Sequence, residues 1–201
     1  TLKTFGYNTL LLYTEDTYEV DGEPYFGYLR GKYTKAEMKE IVSYCDGIGM
    51  EVIPCIQTLA HLNQIFLWAD YANINDTADI LLANEPRTYE LIENMFKTLR
   101  ECYSSEYIHV GMDEAFRLGL GKYLDKYGYT DRFDILNEHL KKVVALAEKY
   151  SFKPIMWSDM FFNLANAEGS SKETVPEEVI SRIPQQVGLV YWDYYHTEKA
   201  T

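Results

Sequence analysis

Short apolar runs alternate along this chain with longer stretches whose apolar residues recur at helical spacing. Five runs are rich in Leu, Ile and Val: NTLLLYTED (Asn8 to Asp16), MEVIPCIQ (Met50 to Gln57), YIHVGMDE (Tyr107 to Glu114), KPIMWSDM (Lys153 to Met160) and VGLVYWDYY (Val187 to Tyr195). Each closes on polar or aromatic residues. Strand-like runs separated by helical segments are the mark of repeated βα units around a parallel sheet.

The helices carry their own start and stop signals. Thr34 with Glu37 three residues on makes a capping box, after which Met38, Ile41, Val42 and Cys45 share a face until Gly47 and Gly49 end it. Pro86 suits a first helical turn, and Leu91, Met95, Leu99 and Cys102 follow at spacings of four, four and three. Phe133, Leu136, Leu140, Val143 and Ala147 form a third stripe. Two connections, Thr17 to Tyr33 and Thr58 to Glu85, are too long and aromatic for plain linkers, and loops of that length usually carry function.

Five βα units fit an open doubly wound sheet or part of a barrel. No G-x-G-x-x-G follows the first run, whereas polar residues end all five, where barrel enzymes build their sites. A complete barrel needs eight strands and typically about 250 residues. The predicted fold class is therefore α/β of the (β/α)8 TIM-barrel type, as an incomplete segment of about five βα units. The opening residues read as the end of a helix, in keeping with a fragment.

Composition narrows the partners. The 201 residues are 47% hydrophobic and carry a formal net charge of −12, which describes a soluble chain with one substantial core. No apolar run approaches the roughly 18 residues that span a bilayer, so no membrane partner is expected. The start lacks the basic region and cleavage site of a signal peptide. Clustered Lys and Arg are absent, which argues against nucleic acid. Cys45, Cys55 and Cys102 are odd in number and widely spaced, so they read as reduced, packed thiols. A cytoplasmic setting is favoured and a secreted one also fits.

The stretch YIHVGMDEAFRLGLGKYL sets Asp113 beside Glu114 at a strand end. Adjacent carboxylates repel, and where water is partly excluded one pKa should rise, which suits acid–base chemistry. Without context such a pair would more often mark a helix N-terminus. Gly119 and Gly121 match no phosphate fingerprint and read as turn glycines.

HVGMDEA (His109 to Ala115), together with PCIQTLAHL (Pro54 to Leu62) and IMWSDMFF (Ile155 to Phe162), resembles the catalytic barrel of glycoside hydrolase family 20, the β-N-acetylhexosaminidases. The resemblance covers nearly the whole chain and implies that residues 1–201 form the central part of such a barrel. It implies hydrolysis of terminal β-linked N-acetylhexosamine, GlcNAc or GalNAc, with retention. The substrate's own acetamido oxygen would attack the anomeric carbon. Glu114 would be the acid and then the base. Asp113 would orient the acetamido group and stabilise the oxazolinium, and its charge would help hold a proton on Glu114. His61, Asp16, Trp157 and Trp192 would bind substrate, with Glu15 a rival to Asp16 and support of His61 a second role open to Asp16. His109 reads as structural. No cofactor or metal is implied.

The family's strand-borne arginine and the tyrosine and further acidic and aromatic residues of its last strands find no counterpart here. Those would come from the remaining barrel strands of the parent chain. Met112 and Ala60 stand where many relatives carry glycine. Two other classes compete with this reading. A metal-dependent barrel hydrolase would use His61, His109, Asp113 and Glu114 as ligands, but no H-x-H or H-E-x-x-H pair is present. A non-catalytic sugar-binding module would suit the eighteen tyrosines but leave the paired carboxylates unexplained.

Overall fold

A computed structural model describes residues 1–165, 177–192 and 194. In chain order its elements are β1 (Thr9–Glu15), α1 (Lys35–Gly47), β2 (Glu51–Ile56), β3 (Asn75–Thr77), β4 (Ile80–Leu81), α2 (Pro86–Cys102), β5 (Tyr107–His109), α3 (Lys122–Tyr127), α4 (Arg132–Lys149), β6 (Lys153–Trp157), α5 (Asp159–Ala165), α6 (Glu177–Arg182) and β7 (Gly188–Val190). Asp193 and Tyr195 of the fifth predicted run lie outside the described residues.

Among the described residues, five strands form one sheet in the order β1-β2-β5-β6-β7, every neighbouring pair parallel. Order along the sheet follows order along the chain, without the mid-sheet reversal of a doubly wound fold, so the expected barrel-type α/β arrangement is what the chain adopts. Registers such as Cys55 opposite His109, His109 opposite Ile155, and Trp157 opposite Val190 align the carboxyl ends of the strands. β1 and β7 are the outer strands here, and Leu11, Tyr13 and Leu189 on them are exposed.

The three predicted helices form for the predicted reasons. Thr34 accepts the Glu37 amide while the Glu37 carboxylate accepts the Thr34 amide, and Met38, Val42 and Cys45 are buried. Pro86 opens α2, which buries Leu91, Met95, Leu99 and Cys102. In α4 the whole predicted stripe from Phe133 to Ala147 is buried. The apolar stripes place α1 on β2 and α2, α2 on α4, and α4 on β6 and α5. All three cysteines are free and buried.

The third strand is shorter than its apolar run. β5 stops at His109 because Gly111 and Met112 take left-handed conformations, φ +71° and +70°, which a strand cannot hold. Asp113 and Glu114 therefore sit in a turn, neither in the strand nor at a helix N-terminus. β3 and β4 pair antiparallel inside the long connection before α2, an element the hydrophobic pattern does not announce.

The other long connection is tied down by a buried carboxylate. Glu23 accepts from Arg87 through both oxygens, at 2.7 and 2.5 Å, from Asn94 at 2.9 Å and from the Tyr71 hydroxyl at 3.1 Å. Removing the cation would strand a buried charge, whereas removing an exposed cap would not. Arg87→Met should therefore cost about 3–5 kcal/mol of stability, against about 1 kcal/mol for Thr34→Ala. Urea unfolding midpoints compare them directly; equal losses would contradict the anchoring role of Glu23.

Candidate active site

Asp16 directly follows β1, Gln57 follows β2, Asp113 and Glu114 lie just past β5, Trp157 ends β6, and Trp192 is two residues beyond β7. The parallel sheet thus gathers them at its carboxyl end, the face on which barrels bind and react.

Gln57 is the organiser of this face. Its Nε2 donates to Asp113 Oδ1 at 2.9 Å and to the Tyr13 hydroxyl at 3.2 Å, and its Oε1 accepts the Met112 amide at 3.2 Å. A Cβ on Gly111 would lie 2.1 Å from that Oε1 and 2.7 Å from the Ile56 carbonyl, so only glycine admits the turn this close to β2. The Tyr13 ring is partly exposed, but its hydroxyl is turned in towards Gln57, and desolvation there pushes it up to about 12 despite the opposing bond with Gln57. Tyr13 therefore stays a neutral phenol.

His61 meets the other oxygen. Its Nε2 is 3.2 Å from Asp113 Oδ2 and 3.6 Å from Glu114 Oε2. Its backbone amide donates to Asp79 Oδ2 at 3.0 Å, and its Nδ1 is 3.9 Å from the same oxygen. The carboxylate supporting His61 is thus Asp79 and not Asp16, because the β3–β4 turn folds back over the loop. The bond with Asp113 raises the imidazole pKa against the opposing effect of burial, and the charges of Asp113, Asp79 and Glu114 add to the rise. Burial alone would raise Asp113, but the bonds from His61 and Gln57 outweigh it and hold its carboxyl below the ordinary value. Asp113 is the fixed anion of the pair.

Glu114 differs from its neighbour. Its side chain is 44% exposed against 18% for Asp113. Its backbone amide donates to Asp159 Oδ2 at 3.0 Å. Asp159 is the carboxyl that burial raises; the Glu114 amide and a Trp192 side-chain bond oppose that rise, and the nearby charge of Asp113 adds to it. One carboxylate thereby ties the turn bearing Asp113 and Glu114 to the segment after β6 and to Trp192.

Trp157 is half-buried, its ring 4.4 Å from that of His109 and tilted by 52°. His109 is fully buried and accepts the Gly111 amide through Nδ1 at 3.1 Å. Desolvation lowers it to about 4, so it is a neutral ring that seats Trp157. Asp16 is buried, 3.5 Å from an Arg30 nitrogen, while the more exposed Glu15 takes the same nitrogen at 3.3 Å. Burial raises Asp16 and Arg30 opposes the rise.

Strain collects here. Glu15, His61, Met112 and Glu114 all have left-handed backbones, with φ of +47°, +59°, +70° and +54°. Such conformations persist when the surroundings over-determine them, as at ligand sites. Among the described residues, no group of three or more His, Cys, Asp or Glu side chains is placed to hold a metal ion.

Sequence reasoning missed Gln57, Asp79, Asp159, Tyr13 and Arg30. Gln57 and Asp159 stand at strand ends within the family-like motifs and were open to discovery by position alone. Asp79 lies far along a loop and carries no local signal.

The family model "Glycosyl hydrolase family 20, catalytic domain" matches residues 13–199. The chain belongs to glycosyl hydrolase family 20. The chain is 26% identical to hexosaminidase D of Bos taurus over 96% of its own length and 56% of that protein. Identity to hexosaminidase D of Homo sapiens is also 26%, over 96% of the chain and 40% of that protein. The chain thus spans between 40% and 56% of the length of these relatives. Among solved structures, a Vibrio harveyi family 20 exo-β-N-acetylglucosaminidase in complex with N-acetylglucosamine superposes with TM-score 0.71 at 14% identity, covering 93% of this chain and 33% of that one. A Streptomyces plicatus β-hexosaminidase variant in complex with GlcNAc gives 0.67 at 22%, covering 94% and 42%. These structures establish the shared fold. The sequence relatives are β-hexosaminidases, which are glycoside hydrolases.

The coupled pair makes a pH prediction. His61 is raised above its ordinary 6.5, so its contribution to stability is complete below that value and fades as pH rises through its folded pKa. Asp113 is lowered below 3.8, so its contribution is complete above that value and fades as pH falls through its folded pKa. The stability lost in Asp113→Asn should be greatest between those two values and shrink on either side. NMR titration of His61 should show its pKa falling in the same variant. An unchanged titration would mean that the two side chains are not paired in solution.

Proposed function

We propose that residues 1–201 are the central part of a catalytic barrel that removes terminal, non-reducing-end β-linked N-acetylhexosamine, GlcNAc or GalNAc, with retention of configuration. The observation that carries this reading is the unequal treatment of neighbouring carboxyls. Asp113 is clamped through both oxygens as an anion, while Glu114 presents an exposed carboxyl 3.6 Å from the His61 ring.

That division suits substrate-assisted chemistry. Glu114 gives its proton to the glycosidic oxygen as the acetamido carbonyl oxygen attacks the anomeric carbon. The bond to the leaving group breaks and an oxazolinium forms. Asp113 accepts the acetamido N–H and faces the positive charge that develops there, a preorganised stabilisation needing no movement of the protein. Glu114 then takes a proton from water as it attacks the same carbon, which reopens the ring. His61 touches both carboxyls and holds them in register. Trp157 and Trp192 offer indole faces to the sugar and its acetamido methyl, and Asp16 and His61 complete the binding set. The remaining barrel strands of the parent protein supply the other side of the pocket.

In the intact protein, Glu114→Gln should reduce turnover of a substrate with a poor leaving group by about 10² to 10⁴. Activated aryl glycosides should lose less at the first step. Equal losses, with that step rate-limiting, would remove Glu114 from the acid role.

The nucleophile is tested through the substrate. A β-glucoside bearing only a hydroxyl at carbon 2 has no internal nucleophile and should be inert where the N-acetylglucosaminide is cleaved. Asp113→Asn should slow the latter by about 10²-fold or more. A covalent glycosyl-enzyme adduct on a carboxylate, or a glucoside cleaved equally well, would overturn the substrate-assisted mechanism.

A further inference from the structure

The connection between β1 and α1 has two faces of opposite character. Its inner face, Tyr18, Glu23 and Phe26, is almost wholly buried, with the Tyr18 and Phe26 rings edge-on at 5.2 Å. That face accounts for the folding of the loop. The outer face carries Tyr25, 38% exposed, Tyr28, 45% exposed, and Leu29, 83% exposed. Leu29 is held out at φ +61°, a conformation that an L side chain rarely adopts.

A second loop meets these rings. Trp68, from the connection after β2, stacks against Tyr25 with centroids 5.7 Å apart and planes 24° apart, and takes Tyr28 edge-on at 5.0 Å and 88°. Tyr25 and Tyr28 touch each other at 5.6 Å. Leu67 beside them is 72% exposed. Trp68 itself is half-buried against the core, so the wall consists of an anchored indole with the exposed Tyr25, Tyr28 and Leu67 around it. Contiguous apolar patches on a surface, where they are large, mark interaction sites.

Its place is tied to the catalytic turn. A Cβ on Gly27 would lie 2.2 Å from the Asp16 carbonyl, so the turn bearing Tyr28 is pressed onto the end of β1. Arg30, two residues after Tyr28, reaches Glu15 and Asp16. Trp68 follows His61, the residue that touches Glu114, on the same loop. The rings therefore border the carboxyl end of β1 and β2, whereas Trp157 and Trp192 come from β6 and β7 across the catalytic turn. Nearby cations are engaged: Arg30 by carboxylates and Lys32 by the Phe26 carbonyl at 2.8 Å. A neutral, flat-faced ligand fits such a wall.

We propose that Tyr25, Tyr28 and Trp68 form a stacking platform for the sugar on the leaving-group side of the scissile bond. This deepens the hydrolase reading and rests on it. Pyranose C–H groups pack on the ring faces while the sugar hydroxyls stay in water. The occupant is a β-linked oligosaccharide and not a short alkyl glycoside.

The test uses the intact protein and the double variant Tyr25→Ala/Tyr28→Ala, chosen because both side chains are exposed, with Trp68→Ala as a second, separate probe of the same wall. Two substrates are compared: a β-linked N-acetylglucosamine disaccharide and the methyl N-acetylglucosaminide, which has no second ring. The platform predicts a fall of about 10-fold in kcat/KM for the disaccharide, carried mainly by KM, and less than about 2-fold for the methyl glycoside. Equal effects on both substrates, or none on either, would overturn it, including the outcome in which the rings are covered by the rest of the protein and alter only thermal stability. Saturation-transfer NMR with the uncleaved disaccharide separates this from the hydrolase reading. Ring-to-sugar transfer lost in the variant of a protein that cleaves neither substrate would retain the platform and remove the activity; cleavage with no such transfer would do the reverse.

Discussion

The site depends on one constraint: Asp113 must remain ionised although it is largely shut off from water. Burial pushes in the opposite direction, so hydrogen bonds and charge have to offset the lost solvation. Gln57 supplies an amide to one oxygen and His61 a ring nitrogen to the other. The two donors come from one strand end and the loop that follows it, four residues apart, so the end of β2 sets Gln57 and, together with Asp79 of the β3–β4 turn, His61. The register of β2 against β5, Cys55 opposite His109, then sets where the turn bearing Asp113 and Glu114 meets them.

The same contacts explain why the local backbone is strained. Gly111 and Met112 turn left-handed so that the Met112 amide can reach Gln57, and Glu114 does so with its amide on Asp159. For Met112 and Glu114 these conformations are not favoured locally. Each is held by a side chain just past a different strand, Gln57 after β2 and Asp159 at the start of α5 after β6, and the buried stripes of α1, α2 and α4 hold those strands in place. The core therefore does more than stabilise the chain. It keeps a turn that would relax in isolation in the geometry that separates Asp113 from Glu114.

What was legible in the sequence follows from the range of the interactions involved. The capping box at Thr34, the Pro86 start and the three apolar stripes are local patterns, and each formed as read. Strand order was readable because βα alternation without a phosphate fingerprint leaves few topologies. The early end of β5 was hidden, since the run Ile108 to Met112 reads as mostly apolar and the group that holds its left-handed Gly111 and Met112 in place is a glutamine more than fifty residues earlier. Asp79 was hidden for the same reason: it reaches His61 only through the β3–β4 turn. Asp16 was placed correctly at a strand end, but its charged partner is Arg30, on a loop whose path no periodicity reveals.

The adjacency of Asp113 and Glu114 first suggested a conflict of like charges, and the fold resolves it by giving the neighbours different surroundings. The side chains at the carboxyl end of β2 nearest Asp113, Cys55 and Gln57, carry no charge of their own. Gln57 is an amide, and burial, with the charge of Asp113 adding to it, pushes the Cys55 thiol up to about 12, so it stays protonated. A carboxylate in place of Gln57 would remove the donor to Asp113 Oδ1 and set a like charge beside it, which would weaken the clamp. Neutral residues leave Asp113 as the anion to which His61 is most directly bonded, with Asp79 and Glu114 farther from the ring. A substrate amide that becomes cationic would then meet a charge already fixed in place, and the electrostatic work of the site would be done during folding and not during reaction.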